Sequence, residues 1–274
     1  MKKTILWTLT VIITLSAAYY QRKTGPTYPK QVKVTLNDTL YKLKLVRSIA
    51  LDERSAVRLK IKDPSIQAKL YFKILNSKEE YQISEFAYEK EGFFAAIPQQ
   101  PAAGKLQYYI ELTDSKGTQT LFKDQNIVIR YKGGVPSFIL VPHVIIMFVA
   151  MLFSTLAGLM ALAKVPQYKK YAFWTLLLLT AGGMILGPVV QLYAFGDLWT
   201  GVPFGWDLTD NKTLIAFLFW ILAVYMNRKT DKPVYTILAA FVLLLVYSIP
   251  HSLFGSQLDY ASGKVTQGMI MLFF

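Results

Sequence analysis

The sequence predicts a multi-domain membrane protein, an all-β antiparallel sandwich joined to an α-helical transmembrane bundle. Two observations carry this. Residues 21–134 hold 20 of the 30 Lys and Arg and 12 of the 17 Asp and Glu, whereas the chain beyond Ser137 is largely apolar, with its charges in short connections. Hydrophobic spacing changes at the same boundary, from alternation with period two to apolar runs long enough to cross a hydrocarbon core. A charged alternating segment followed by such runs is the composition of a water-facing module tethered to a membrane module.

The chain starts Met1-Lys2-Lys3 and continues through mostly apolar residues from Thr4 to Ala18. A basic start before a short apolar stretch fits a signal peptide or a membrane anchor. No clean small-x-small site precedes Tyr19-Tyr20, so residues 1–20 are read as an anchor. Either reading carries the following segment across the membrane.

Residues 27–132 form the predicted sandwich. Val57, Leu59 and Ile61 alternate with Arg58, Lys60 and Lys62, and Leu70, Phe72 and Ile74 share a face. Leu106, Tyr108, Ile110 and Leu112 repeat the pattern, followed by Ile127, Ile129 and Tyr131. Turn residues punctuate the runs at Asn37-Asp38, Asn76-Ser77-Lys78, Pro98 to Gly104 and Asp114 to Gly117. Seven or eight short strands at this spacing argue two antiparallel layers, each strand with one face in the core and one in water. The stretch from Gly104 through Tyr108-Tyr109-Ile110-Glu111-Leu112 to Asp114-Ser115-Lys116-Gly117 resembles a late hairpin of immunoglobulin-like or fibronectin type III-like modules. The resemblance implies a β-sandwich and transfers no functional residue.

Gly133-Gly134-Val135-Pro136 reads as a hinge into the membrane domain, residues 136–274. About four spans are predicted there, at residues 138–163, 171–195, 213–226 and 234–249, the last two short. The apolar tail Met269–Phe274 is too short to span. Lys164, Lys169 and Lys170 fall between the first two spans, and Arg228, Lys229 and Lys232 between the last two. Basic connections stay in the cytoplasm. That orientation, with Lys2 and Lys3 inside as well, puts residues 21–137 on the outer, periplasmic side of a bacterial-type inner membrane. It also puts the loop 196–212 and the chain after His251 outside.

The candidate site residues gather at that outer face. His143 and His251, the only histidines, each follow a proline at a helix end. Two imidazoles on neighbouring helices could hold haem b, hydrogen-bond a quinone or bind a divalent metal, because such residues in spans are scarce and costly. Equally, each could be an interfacial histidine bonded to water or backbone. Gly183 and Gly187, a G-x-x-x-G step before Pro188, would admit a flat cofactor or simply a neighbouring helix, with a kink at the proline. In the 195–212 loop, Trp199, Phe204 and Trp206 suit a headgroup zone, and Asp210 or Thr209 is expected to cap a helix starting near Asn211. Asp207 is then free to join Asp259 and the two histidines in a metal shell, or both acids are solvated loop residues.

There is no cysteine, which removes disulfides, thiolate metal sites and cysteine nucleophiles. No Walker A, H-E-x-x-H or G-x-S-x-G sequence occurs. The net charge of +13 reflects membrane orientation and scattered strand residues, so no nucleic-acid partner is expected. Three functions remain: a membrane component with an extracytoplasmic binding or scaffolding module that meets a protein partner, part of a respiratory or envelope complex; a redox protein holding haem b or quinone between the histidines; and a metal-dependent membrane enzyme.

Overall fold

A computed structural model describes residues 2–90, 92–250, 255–263 and 265–266. The chain divides into two compact units, a helical one built on Met1–Pro26 and Val135–Ser256, and a β unit of Thr27–Gly134 with Gln257–Thr266.

In the β unit, β1 (Lys30–Leu36) and β2 (Thr39–Leu45) form a hairpin. Its two-residue turn, Asn37-Asp38, has φ of 44° and 62°. Asparagine and aspartate tolerate this left-handed region, and a turn of that hand matches the strand twist. After β3 (Ser48–Ala50) and β4 (Ala56–Leu59) come β5 (Gln67–Ile74), β6 (Gln82–Glu85), β7 (Ala87–Glu89) and β8 (Gly92–Ala96). The long β9 (Lys105–Asp114), β10 (Gly117–Leu121) and β11 (Ile127–Lys132) complete the series. β3, β11, β9, β5 and β6 lie side by side in one sheet, with β10 also on β9, while β4, β8 and β7 form a second sheet.

The predicted alternation faces the core as expected. Leu70 stands opposite Ile110, and Tyr108 is paired with both Phe72 and Ile127. All five join Leu36, Leu43, Val57, Leu59, Ile61 and Tyr131 in one apolar cluster. Two features differ from expectation. Eleven strands form among the described residues between Lys30 and Lys132, several too short to show as alternation. The sheet is also not antiparallel throughout, because β3 lies parallel to β11, with Ser48 opposite Arg130. The chain leaves the β1–β2 hairpin and enters the edge of the larger sheet, so its direction is set by that crossover rather than by a tight turn.

Turn chemistry holds one end together. The Asn37 side chain donates to Asp63 (2.8 Å) and accepts from Ser115 Oγ (2.8 Å), while its backbone N–H donates to Asp114 (2.9 Å). The Ser65 hydroxyl, then Asn37, hold the Asp63 carboxyl below the usual carboxylate range, and the Asn37 and Lys116 amides do the same for Asp114. A third feature was not legible: the short strands β12 (Gln257–Leu258) and β13 (Val265–Thr266) belong to this unit and not to the helical domain predicted for 136–274. Leu258 N–H bonds Ala103 O at 3.0 Å, and Tyr260 Oη donates to Gln100 at 2.8 Å. Two-residue strands carry no period to read.

The helical unit contains α1 (Lys2–Thr24), α2 (Ser137–Leu162), α3 (Tyr168–Leu178), a π-helical stretch Leu179–Leu186, α4 (Gly187–Phe195), α5 (Leu208–Met226) and α6 (Pro233–Ser248). Among the described residues four helices are long and apolar enough to cross a membrane: α1, α2, the continuous Tyr168–Phe195 run and α5. At 16 residues, α6 is about 24 Å long, a little short of a hydrocarbon core. The third predicted span, 213–226, in fact starts five residues earlier at Leu208. α1 packs as a member of this unit, with Leu6 beside Leu156, Met160 and Tyr168. The centre is rich in small residues around Trp220, including Ala150, Ala157, Ala216, Ala223 and Ala239. A Cβ added to Gly158 would lie 2.6 Å from that of Ala240, so glycine sets the α2–α6 approach.

Candidate functional site

The second turn of α2 carries Pro142 and then His143. The imidazole Nδ1 lies 2.9 Å from Gly182 O in the π-helical stretch. A carbonyl only accepts, so Nδ1 carries the proton and Nε2 is left as a lone-pair acceptor. Among the described residues Nε2 makes no hydrogen bond. Gly182 O also receives the Gly187 N–H, the wide i to i+5 bond of a π-helix. The cause is two residues on: Pro188 has no N–H and its ring would meet the carbonyl four residues back, so the helix widens before it. The sequence reading expected a simple kink there.

The step is closely packed at Gly182 and Gly183. A Cβ on Gly182 would come within 2.8 Å of Ile146 and 3.0 Å of Met147, and one on Gly183 within 3.0 Å of Thr213. At Gly187 the nearest side chain is His143, with Cε1 3.8 Å from a hypothetical Cβ. Of the predicted pair, Gly187 lies beside His143 and Gly183 faces Thr213 and Met147, while Gly182, unremarked in the sequence, makes the hydrogen bond. His251 lies outside the described residues, so its place beside His143 is not part of this geometry.

A second polar cluster closes the start of α5. Asp207, not Asp210 or Thr209, is the N-cap, its Oδ1 accepting from Thr209 N at 2.8 Å and Asp210 N at 3.2 Å. The helix thus begins earlier than expected, and the carboxylate proposed as a metal ligand is spent on a helix end. Asp210, only 6% exposed, instead holds the preceding loop: its Oδ2 accepts from Thr200 N at 2.6 Å and Thr200 Oγ1 at 3.1 Å, while Gln191 donates to that hydroxyl at 2.7 Å. Asn211 Oδ1 accepts from Val202 N at 2.7 Å. Gly201 sits under this loop because a Cβ there would be 2.7 Å from that of Asp210. Phe204 and Trp206 are exposed, as the sequence suggests.

Lys212, 4% exposed, donates to Ile249 O at the end of α6, 2.8 Å away. A cation there bonds a free carbonyl and suits the negative end of the helix dipole. It also borders a cleft of about 20 Å³ lined by Gln21, Met147, Thr213 and Tyr247, room for roughly one water molecule. Gln21 Nε2 is buried there with no partner among the described residues. At the opposite end of α5, Asn227 accepts from Tyr168 Oη at 2.7 Å and Lys232 N at 2.9 Å and donates to Ala223 O at 2.8 Å.

No known family, no curated protein and no solved structure matches the chain.

Asp259 belongs to the β unit and caps its own turn, accepting from Ser262 Oγ at 2.6 Å and Ala261 N at 3.0 Å. The Ser262 hydroxyl first, then the amide, keep its carboxyl below the ordinary range. Among the described residues no three His, Cys, Asp or Glu side chains come together as a metal shell. The sequence reading passed over Lys212, Gln21 and Asn227. Lys212 had one signal, a lone cation at the head of an apolar run on the side where the positive-inside trend expects none.

Proposed function

We propose that the protein is an integral component of a bacterial-type inner membrane, with the helical unit as anchor and the β unit as an extracytoplasmic binding or scaffolding module within a respiratory or envelope complex. One observation carries this reading. The charged side chains buried in the helical unit, and Asn227 with them, are committed to finishing it: Asp207 caps α5, Asp210 holds the loop before it, Lys212 ends α6 and Asn227 ties the α5–α6 turn. Chemistry of that kind builds an anchor. The immunoglobulin-like reading of the β unit has as support its single core shared by strands of different sheets.

Orientation is supported by the basic residues. Lys164, Lys169 and Lys170 flank the α2–α3 turn, and Arg228, Lys229 and Lys232 the α5–α6 turn. Counting α1, α2, α3–α4, α5 and α6 as crossings, both turns share a side with Lys2 and Lys3, opposite the β unit. Reporter fusions after Lys170 and Lys232 are expected to read cytoplasm, and fusions within residues 30–130 or near Pro203 to read outside. An outside signal at Lys170 would invert the assignment.

A second reading keeps a redox role at His143. Its Nδ1–H donates to a backbone carbonyl, the bond that orients ligating imidazoles, and leaves the Nε2 lone pair available to iron or to the hydroxyl of a reduced quinone. The purified protein is then expected to show haem or quinone absorbance that His143→Ala removes. A featureless spectrum from protein purified out of its own membrane would end this reading and leave the first untouched.

A further inference from the structure

The outward surfaces of the β unit differ in kind. Over β5 and β9, Tyr71 stacks on Tyr109 at 4.6 Å, Tyr81 meets Tyr109 edge-on, and Gln107 donates to Tyr81 Oη at 2.9 Å and Asn126 Oδ1 at 3.0 Å. Tyr71 Oη donates to Glu111 at 2.8 Å. That surface is closed by its own bonds.

The surface over β1, β2 and β4 is open and basic. Lys33 stands directly opposite Lys42, and Gln31 opposite Lys44. Arg58, Lys60 and Lys62 are exposed in the strand and extension that follow. β2 packs beside β4, and the residues alternating with these cations, Val34, Leu43, Leu45, Val57, Leu59 and Ile61, all enter one core. The six cations therefore share one outward surface. Glu89 on β7 is an acid near them, opposite Gly92. Among the described residues none of the six forms an ion pair; the ion pairs found are Lys116–Asp38 and Lys169–Asp231. Like charges directly opposite across a strand pair weaken a sheet, so this arrangement opposes stability and favours a polyanion. Leu40, 56% exposed, lies beside the lysines opposite Thr35, and an apolar side chain among cations suits a headgroup layer better than a purely polar partner.

We infer that this basic face docks on anionic lipid headgroups of the bilayer that holds the helical unit. The inference rests on the reading that the helices cross a membrane. Two of the connections to them are short, residues 25–29 and 133–136, so a headgroup surface is a polyanion within the unit's reach, and clustered Lys and Arg near a bilayer are drawn to anionic lipid.

The test uses the full chain in lipid nanodiscs, with trace acylation of lysine amines read by peptide mass spectrometry. In discs with about 30% phosphatidylglycerol, labelling of Lys33, Lys42, Lys44, Lys60 and Lys62 is expected to fall about threefold or more relative to pure phosphatidylcholine. The exposed Lys69 and Lys78, off this face, should change little. The protection should vanish at about 1 M salt, where the Debye length is about 3 Å. Equal labelling in both discs, or a uniform drop that includes Lys69 and Lys78, would overturn the inference. So would protection seen in native membranes but not in anionic discs, which would give the face to an acidic protein. Failure of the chain to enter discs at all would instead strike the membrane reading itself.

Discussion

Replacing Asp210 with alanine is expected to destabilise the helical unit by about 3 kcal/mol, the loss of charge-assisted hydrogen bonds plus the exposure of unsatisfied partners. The carboxylate is nearly buried and accepts both the Thr200 amide and hydroxyl. Truncation strands both donors in a loop already short of alternatives, since Gly201 and Asn211 are packed against the same turn. The loop before α5 should open, so the readout is cleavage by protease between Gly196 and Asp207 together with a lower melting temperature in detergent. Asp210→Asn, which keeps one acceptor oxygen, should lose roughly half as much. Wild-type cleavage and melting for Asp210→Ala would show that the loop is held by something other than this carboxylate.

Gly92→Ala should be nearly as costly to the β unit. A Cβ at this position would fall 2.2 Å from Leu59 O and 3.2 Å from its carbonyl carbon. Those are backbone atoms of the neighbouring strand, which cannot swing aside as the tip of a side chain could. The β4–β8 ladder, Leu59 opposite Phe93 and Arg58 opposite Phe94, must part to make room. Overpacking of this sort costs about 3 kcal/mol, and more where backbone must move. Far-ultraviolet circular dichroism and proteolysis of residues 56–96 in the full chain should both report it. A variant as stable as wild type would mean that β4 does not pass this close to β8.

Polar residues at helix ends show where reading a sequence stops. One short acceptor was needed to cap α5, and three candidates, Asp207, Thr209 and Asp210, lie within four residues of one another. Propensity ranks the two aspartates alike. The choice fell to Asp207 because Asp210 is drawn to Thr200 across the loop, a contact that no local pattern encodes. Lys212 reads as a flanking charge until α6 brings Ile249 O to it. The widening before Pro188 follows from a missing amide and was foreseeable as a distortion, but its use is tertiary: it presents Gly182 O to a histidine 39 residues away.

By itself the sequence determined the division into a charged alternating module and apolar helices, the inward residues of β5, β9 and β11, the turn at Asn37-Asp38 and the approximate limits of the helices. Each is a local consequence of period, φ preference or apolar length, which neighbouring residues alone decide. Only the tertiary structure decided that β3 lies parallel to β11, that residues 257–266 join the β unit, which carboxylate caps and which one clamps, and that cations from β1, β2 and the segment 58–62 share a surface. Those outcomes depend on contacts between segments far apart in the chain, and nothing in the residues around each one states which distant partner it will meet.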